Sequence, residues 1–344
     1  MKGSVLALGE NAGRALAALM VDGRMEALAL EAEGFGPGAI LRGRVGRPVK
    51  GMGGVFVDLP EGVTGFLRQP KGLAPGQSLL VQVNGVPEPG KALPLTLKLV
   101  VKGRHAILTP DAPGLNVSRQ IRDAETRVGL EALAREGMAG ADPALGLILR
   151  SAAGDADPAM VGSELVELRA LAEAILADAK GPPELLLDAP APSETAWRDW
   201  PAPDQVMEGP DALEGSGALD AIEALLSPQV ALGAGASMTV EPTRALVAVD
   251  VNTGTDTSPA AGLKANIAAI RELPRQLELR GLGGQVVMDM APFPKRERHI
   301  LDQALAKAFR HQSQAVTLAG WTPLGNYELT RRRDGVPLAE WWRG

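Results

Sequence analysis

Cysteine does not occur anywhere in the 344 residues. Disulfides and thiolate zinc sites are therefore excluded, and a reducing, cytoplasmic location is the expectation. Histidine occurs only three times, so a bound metal would be held by oxygen ligands, which favours magnesium, manganese or calcium over zinc. Long apolar runs are missing too. The opening stretch MKGSVLALGENAGRALAALM is broken by Glu10, Asn11 and Arg14 before a signal-peptide core or a membrane span is complete, and nothing later approaches a spanning length. No membrane partner is expected. An excess of cations is also lacking: the formal net charge is −6, whereas phosphate contacts need Lys and Arg. Nucleic acid would have to meet local basic runs, and RGRVGRPVK (42–50), KRERH (295–299) and TRRRDG (330–335) are the candidates. A charge run of this kind is usually a solvated face.

What is present is enough apolar sequence, 45% of the residues, to bury a large core divided among several modules. SVLALGE, RALAALMVDGR and MEALALEA read as hairpin strands with a DG turn, closed by the break GFGPG at 34–38. AILRGRVGRPV, GGVFVDLP, GVTGFLRQP, SLLVQVNGV and PLTLKLVVK follow as five short strands with Gly or Pro punctuation, the spacing of a five-stranded barrel. Alternation in GVFVDL sets Val55 and Val57 on one face and Phe56 with Asp58 on the other. Residues 106 to about 204 mix strands (HAILTP, LGLILRS) with helices expected near 119–137 and 158–180, and end in a strand-like LLL among prolines. Residues 205–235 hold a helix at ALDAIEALL with a proline stop at 228.

From about 236 the pattern becomes strand, helix, strand: TRALVAVDVN, then LKANIAAIRELPRQLELRG, then GGQVVMDM. Two apolar strands joined by a crossover helix make a βαβ unit with parallel neighbours. Asp250 and Asp289 lie at the carboxyl ends of the two strands, where open α/β sheets place their ligands, and adjacent strands are only about 5 Å apart. One cation could touch both. The plainer alternative is two turn or cap residues. Asn252, two residues beyond Asp250, shares its face if the strand continues and could orient a water or a phosphate oxygen. Pro274, inside the expected helix, should kink or split it near Leu273.

VAVDVNTG, KANIAAIRELPRQLELRGLGGQVVMDM and the later GWTPLGNYELTRRR resemble the catalytic region of the ribonuclease E/G family. The likeness extends upstream through GVFVDL, TGFLR, LTPDAPGLNVSRQI and GLILRSAAG. The resemblance implies an α+β and α/β multi-domain chain. It would comprise a ribonuclease H-like module from 1–37 and 205–235, an S1-type OB barrel at 38–105, a 5′-sensor-like region at 106–204 and a DNase I-like catalytic domain at 236–344. It further implies that Asp250 and Asp289 bind Mg²⁺, that Asn252 positions the attacked phosphate or water, and that single-stranded RNA stacks on Phe56 and Phe66. Read from alternation alone, both Phe fit a barrel core as well as a surface. Arg150 and Ser151 would bind a 5′-monophosphate; the family usually has Thr in place of Ser151, and the hydroxyl is retained. The implied products carry 5′-phosphate and 3′-hydroxyl ends.

The chain also departs from the family pattern. The family's second strand commonly continues Asp-x-x-Asp, whereas Met290, Ala291 and Pro292 follow Asp289 here. The loop after Asn252 is shorter than usual. The cysteine pair of the long members is absent, so no zinc-linked dimer is expected, and neither is the small domain beyond it; the oligomeric state is left open. The resulting expectation is a compact, magnesium-dependent endoribonuclease, with a preference for 5′-monophosphorylated RNA as a further possibility. The rivals are an RNA-binding protein of the same architecture with a weakened site, and a metal-dependent phosphohydrolase acting on small nucleotides.

Overall fold

The computed structural model describes residues 2–49, 51, 53–68, 72–256, 258, 260–310 and 316–343. Lys50 of the first basic run, with residues 257 and 259 of the loop after Asn252, lies outside them. The chain divides into two units, Ala32–Pro201 and the pair Met1–Glu31 with Ala202–Gly344.

In the second of these, the strands Ser4–Asn11, Arg14–Val21 and Arg24–Leu30 form an antiparallel meander, and Gln205–Glu208 pairs in parallel with the first. The expected Asp22–Gly23 turn is there, with both residues at positive φ, the type I′ signature that matches strand twist. Val5, Ala7, Leu16, Ala18 and Met20 point to one face, where Ile222 and Leu225 of the helix Ala218–Leu226 bury them together with Leu338 and Trp341. The C-terminal turn therefore packs on this sheet, although the sequence grouped it with the catalytic stretch.

The same unit holds a six-stranded sheet in the order Gln229–Gly233, Ala236–Pro242, Val247–Asn252, Gly284–Asp289, Tyr327–Arg331, Val316–Trp321. Gln229–Gly233 joins this sheet, two residues before Ala236, so the sheet begins earlier than the expected boundary at 236. Only the third and fourth strands run parallel, as a βαβ unit requires. The helices Ala261–Leu279 and Arg298–Ala308 supply the apolar layer over Val249, Val251, Val286, Met288 and Leu329. The first helix is not split at Leu273: it runs on through Pro274, with Leu273, Pro274 and Leu277 all buried in it. Packing against the sheet offsets the hydrogen bond that proline cannot donate.

In the unit Ala32–Pro201, Ile40–Val49, Gly54–Asp58, Thr64–Arg68, Leu93–Thr96 and Ser78–Val83 close on themselves through pairing of the last with the first. This is the expected five-stranded OB-like barrel, with Leu41, Val57, Leu67, Val81 and Leu95 inside. Glu184–Leu187, the strand-like LLL, adds to its first strand. A four-stranded sheet (Leu115–Val117, Gly146–Leu149, Ala106–Thr109, Val101–Lys102) packs with the helices Ala124–Gly137 and Pro158–Ala177. The first helix starts five residues later than its periodicity suggests because the Asp123 carboxylate caps it, accepting from the Thr126 N–H.

Candidate functional site

Strand alternation in VAVDVN buries Val247, Val249 and Val251 under the helices and leaves Asp250 and Asn252 exposed on the uncovered face. A slip of one residue would turn three valines to water, so the apolar pattern pins the carboxylate outward. GQVVMD behaves likewise, with Val286 and Met288 buried and Asp289 exposed. The parallel register pairs Asp250 directly with Asp289, which puts their Cα atoms about 5 Å apart with both side chains on one face. Among the described residues neither carboxylate has an ion-pair partner. Asn252 Nδ2 donates to Asp250 Oδ2 at 2.6 Å, which leaves its second N–H and its Oδ1 turned to solvent chemistry. The three residues proposed from sequence are thus brought together.

One contributor was missed. Asn266, 0% exposed on the crossover helix, makes a two-point clamp on the backbone just past Asp289: its Nδ2 donates to the Ala291 carbonyl and its Oδ1 accepts from the Ala291 N–H, both at 2.9 Å. Gly262 permits this approach, since a Cβ there would lie 1.8 Å from the Pro292 carbonyl oxygen. Met290-Ala291-Pro292 therefore serves as a packed and bonded strand end. The available signal was an amide set inside the apolar stripe of Ala265, Ala269, Ile270, Leu273 and Leu277.

No cluster of three or more His, Asp or Glu side chains suited to a metal forms among the described residues, so the donor set at this edge is the two aspartates. The basic runs divide. Arg42 is buried and bonded to Asp178 and Glu184, and Arg331 is buried with its Nη1 donating to the Leu282 carbonyl, so both are structural. Lys295 and Arg296 stand exposed on the turn after the Asp289 strand.

In the other unit, Phe56 and Phe66 are register partners on adjacent barrel strands, half-buried on the outer side, with rings 5.4 Å apart edge to face. Gly54 makes room for them: a Cβ would come 2.5 Å from the Phe66 ring. Arg150 is engaged by its own chain. Its Nη1 donates to the carbonyls of Gly103 (2.7 Å) and Arg198 (3.2 Å), and its Nη2 to Asp199 Oδ1 (2.8 Å). Burial raises the Asp199 carboxyl, but the hydrogen bonds and charges of Arg198 and Arg150 outweigh it and hold the group below the usual carboxylate range. A carboxylate lowered in this way gives its stabilisation above the ordinary carboxylate pKa and loses it as pH falls through the depressed value, so the pair is intact at neutral pH. Ser151 opens a short turn, exposed and unpartnered among the described residues.

The class these parts define is a mixed α/β protein with an OB-like barrel and a two-aspartate sheet edge. The sequence profile of the Ribonuclease E/G family matches residues 100–208 and 205–334. The chain is 29% identical over 309 residues to Ribonuclease E of Synechocystis, covering 78% of this chain and 45% of that protein. To Ribonuclease E of Nostoc it is 30% identical over 309 residues, covering 78% and 44%. To Ribonuclease G of Haemophilus influenzae it is 25% identical over 362 residues, covering 88% and 73%. The chain belongs to the ribonuclease E/G family, and its matches span less than half the length of the two ribonuclease E relatives. No helix among the described residues is long and apolar enough to cross a membrane.

Proposed function

We propose that this chain is a cytoplasmic, magnesium-dependent endoribonuclease that cuts single-stranded RNA and leaves 5′-phosphate and 3′-hydroxyl ends. The observation that carries the reading is the direct register pairing of Asp250 with Asp289 on an uncovered sheet face in a member of this family. Two exposed carboxylates suit magnesium, which keeps several waters and takes one or two carboxylates plus substrate phosphate. When bound, the ion supplies charge neutralisation at the phosphodiester and acidification of a water. Asp250 and Asp289 hold it. Asn252, steadied by Asp250, has one N–H to donate to a phosphate oxygen and a carbonyl oxygen to accept from the attacking water. Phe56 and Phe66 offer a platform on which bases stack, at about 1–3 kcal/mol per base.

In the same reading, the meander sheet with its parallel fourth strand is ribonuclease H-like, the six-stranded sheet is the catalytic DNase I-like part, and residues 106–204 sense the RNA 5′ end. A 5′-monophosphate binds Arg150 and Ser151 by displacing Asp199 from the guanidinium. The ratio of cleavage rates on 5′-monophosphate and 5′-hydroxyl substrates is then expected to fall to unity in Arg150→Ala and to rise in Asp199→Asn, where the competing charge is gone. Equal ratios in wild type and both variants would make Arg150 purely structural.

The reading as a whole is tested with purified protein and an AU-rich single-stranded oligonucleotide. Cleavage should require Mg²⁺, stop on adding EDTA and return with excess Mg²⁺. Binding without cleavage under any divalent ion would favour the second reading, an RNA-binding protein with a weakened site, which the replacement of the family's second Asp by Pro292 supports. Hydrolysis of free nucleotides without RNA affinity would favour a small-molecule phosphohydrolase, a reading that leaves the barrel without a role.

A further inference from the structure

The hairpin of Val316–Trp321 and Tyr327–Arg331 turns at residues 322–326, beside the carboxyl end of the Asp289 strand. The antiparallel ladder pairs Met288 with Tyr327. Asn326, half-exposed, is the residue just beyond the last pair of that ladder, at the same end as Asp289. From there a groove of about 670 Å³ runs around the tip past Gly320, Trp321, Pro323, Leu324 and Glu328. Leu324 is 93% exposed, far more than any other large apolar side chain among the described residues. Trp321 is held firmly: its Nε1 donates to Asp302 Oδ1 at 2.8 Å, Phe293 and Tyr327 pack on it at 5.6 and 5.1 Å, and the Arg298 guanidinium lies 4.8 Å over the ring.

These walls select their occupant. Their polar groups are the Glu328 carboxylate, the Asn326 amide and the Thr322 hydroxyl; no Lys or Arg lines them, and the nearby Arg298 guanidinium is taken up by the Trp321 ring, so a phosphate beside Glu328 is disfavoured. A flat, largely apolar group with a hydrogen-bonding edge fits. Asn326 offers both a donor and an acceptor at the mouth, the combination that reads a base edge. The cations lie outside, on Lys295 and Arg296, where they can meet the backbone that such a base would trail. Continuity with Asp289 makes the occupant part of the same strand of RNA. We propose that the groove is the subsite for the unpaired nucleobase next to the phosphodiester at Asp250 and Asp289, and that it sets base preference at that one position. This rests on the endoribonuclease reading.

Leu324→Ser and Asn326→Ala change exposed or half-exposed tip residues outside the core, and unchanged circular dichroism and melting would confirm intact folding. On single-stranded oligonucleotides varied at one position, each is expected to raise KM about five- to tenfold for the preferred base and to flatten the preference there. In the Asp250→Asn background, 5-iodouridine at that position should crosslink on irradiation to the peptide containing residues 321–326. A wild type that cuts RNA while both variants keep its KM and cleavage pattern overturns the groove and spares the endoribonuclease reading. A wild type that never cuts, yet binds the oligonucleotide in a manner weakened by both variants, does the reverse. Absence of any oligonucleotide binding overturns both.

Discussion

Replacing Asp250 or Asp289 by asparagine is expected to lower the rate of RNA cleavage by about three orders of magnitude while leaving the Kd for RNA nearly unchanged. The substitution keeps side-chain shape, and both positions are exposed on an uncovered face, so no core contact is lost. An amide at 250 can still accept from Asn252, preserving the local hydrogen bond. What disappears is one negative oxygen from a two-carboxylate set. Under the proposed function the pair acts on one ion, so the double variant should be little worse than either single one, a non-additivity that separate roles would not give. Single-turnover cleavage across a magnesium titration is the measurement. Wild-type rates in both single variants would remove the metal assignment, and strictly multiplicative losses would remove the shared ion.

Asn266→Ala should produce the second large effect, through position alone. The side chain satisfies both backbone groups of Ala291 in a fully buried setting. Its loss leaves a buried donor and acceptor without partners, a cost of about 2–4 kcal/mol. Melting should therefore fall by roughly 2–4 °C for each kcal/mol. A purely structural residue would do no more than that. A positioning residue should also shift the magnesium concentration needed for half-maximal cleavage upward, at a temperature where the variant is folded, with RNA binding retained. Asn266→Asp should be no rescue: it keeps the acceptor for the Ala291 N–H but faces the Ala291 carbonyl with negative charge. An unchanged magnesium requirement in folded Asn266→Ala would confine Asn266 to stability.

Periodicity made much of this legible. Alternation in VAVDVN and GQVVMD locates Asp250, Asn252 and Asp289 on one face, and a parallel βαβ step brings the two strands side by side. The barrel was readable from five punctuated runs, but alternation alone left Phe56 as fit for the core as for the surface, and it is the burial of Val55 and Val57 in the structure that sets it on the other side. What escaped was non-local. Nothing near Arg150 in the chain announces that Asp199 bonds it, and nothing near Asn266 announces Ala291. The alternation of Gln229–Gly233 is too brief to have singled it out, and it forms a strand beside Ala236–Pro242. Pro274 shows the converse, a strong local preference overruled by burial on the sheet.

The meander at the start of the chain is completed by Gln205–Glu208, and its core by Leu338 and Trp341, whose Nε1 donates to the Glu31 carbonyl. During synthesis the hairpins emerge first and must wait, one edge unpaired, while the whole of Ala32–Pro201 is made. The intervening unit has cores of its own, so it is free to fold ahead of the part that precedes it. A chain cut short before Trp341 would hold a finished barrel and a first sheet with all its strands but an incomplete core.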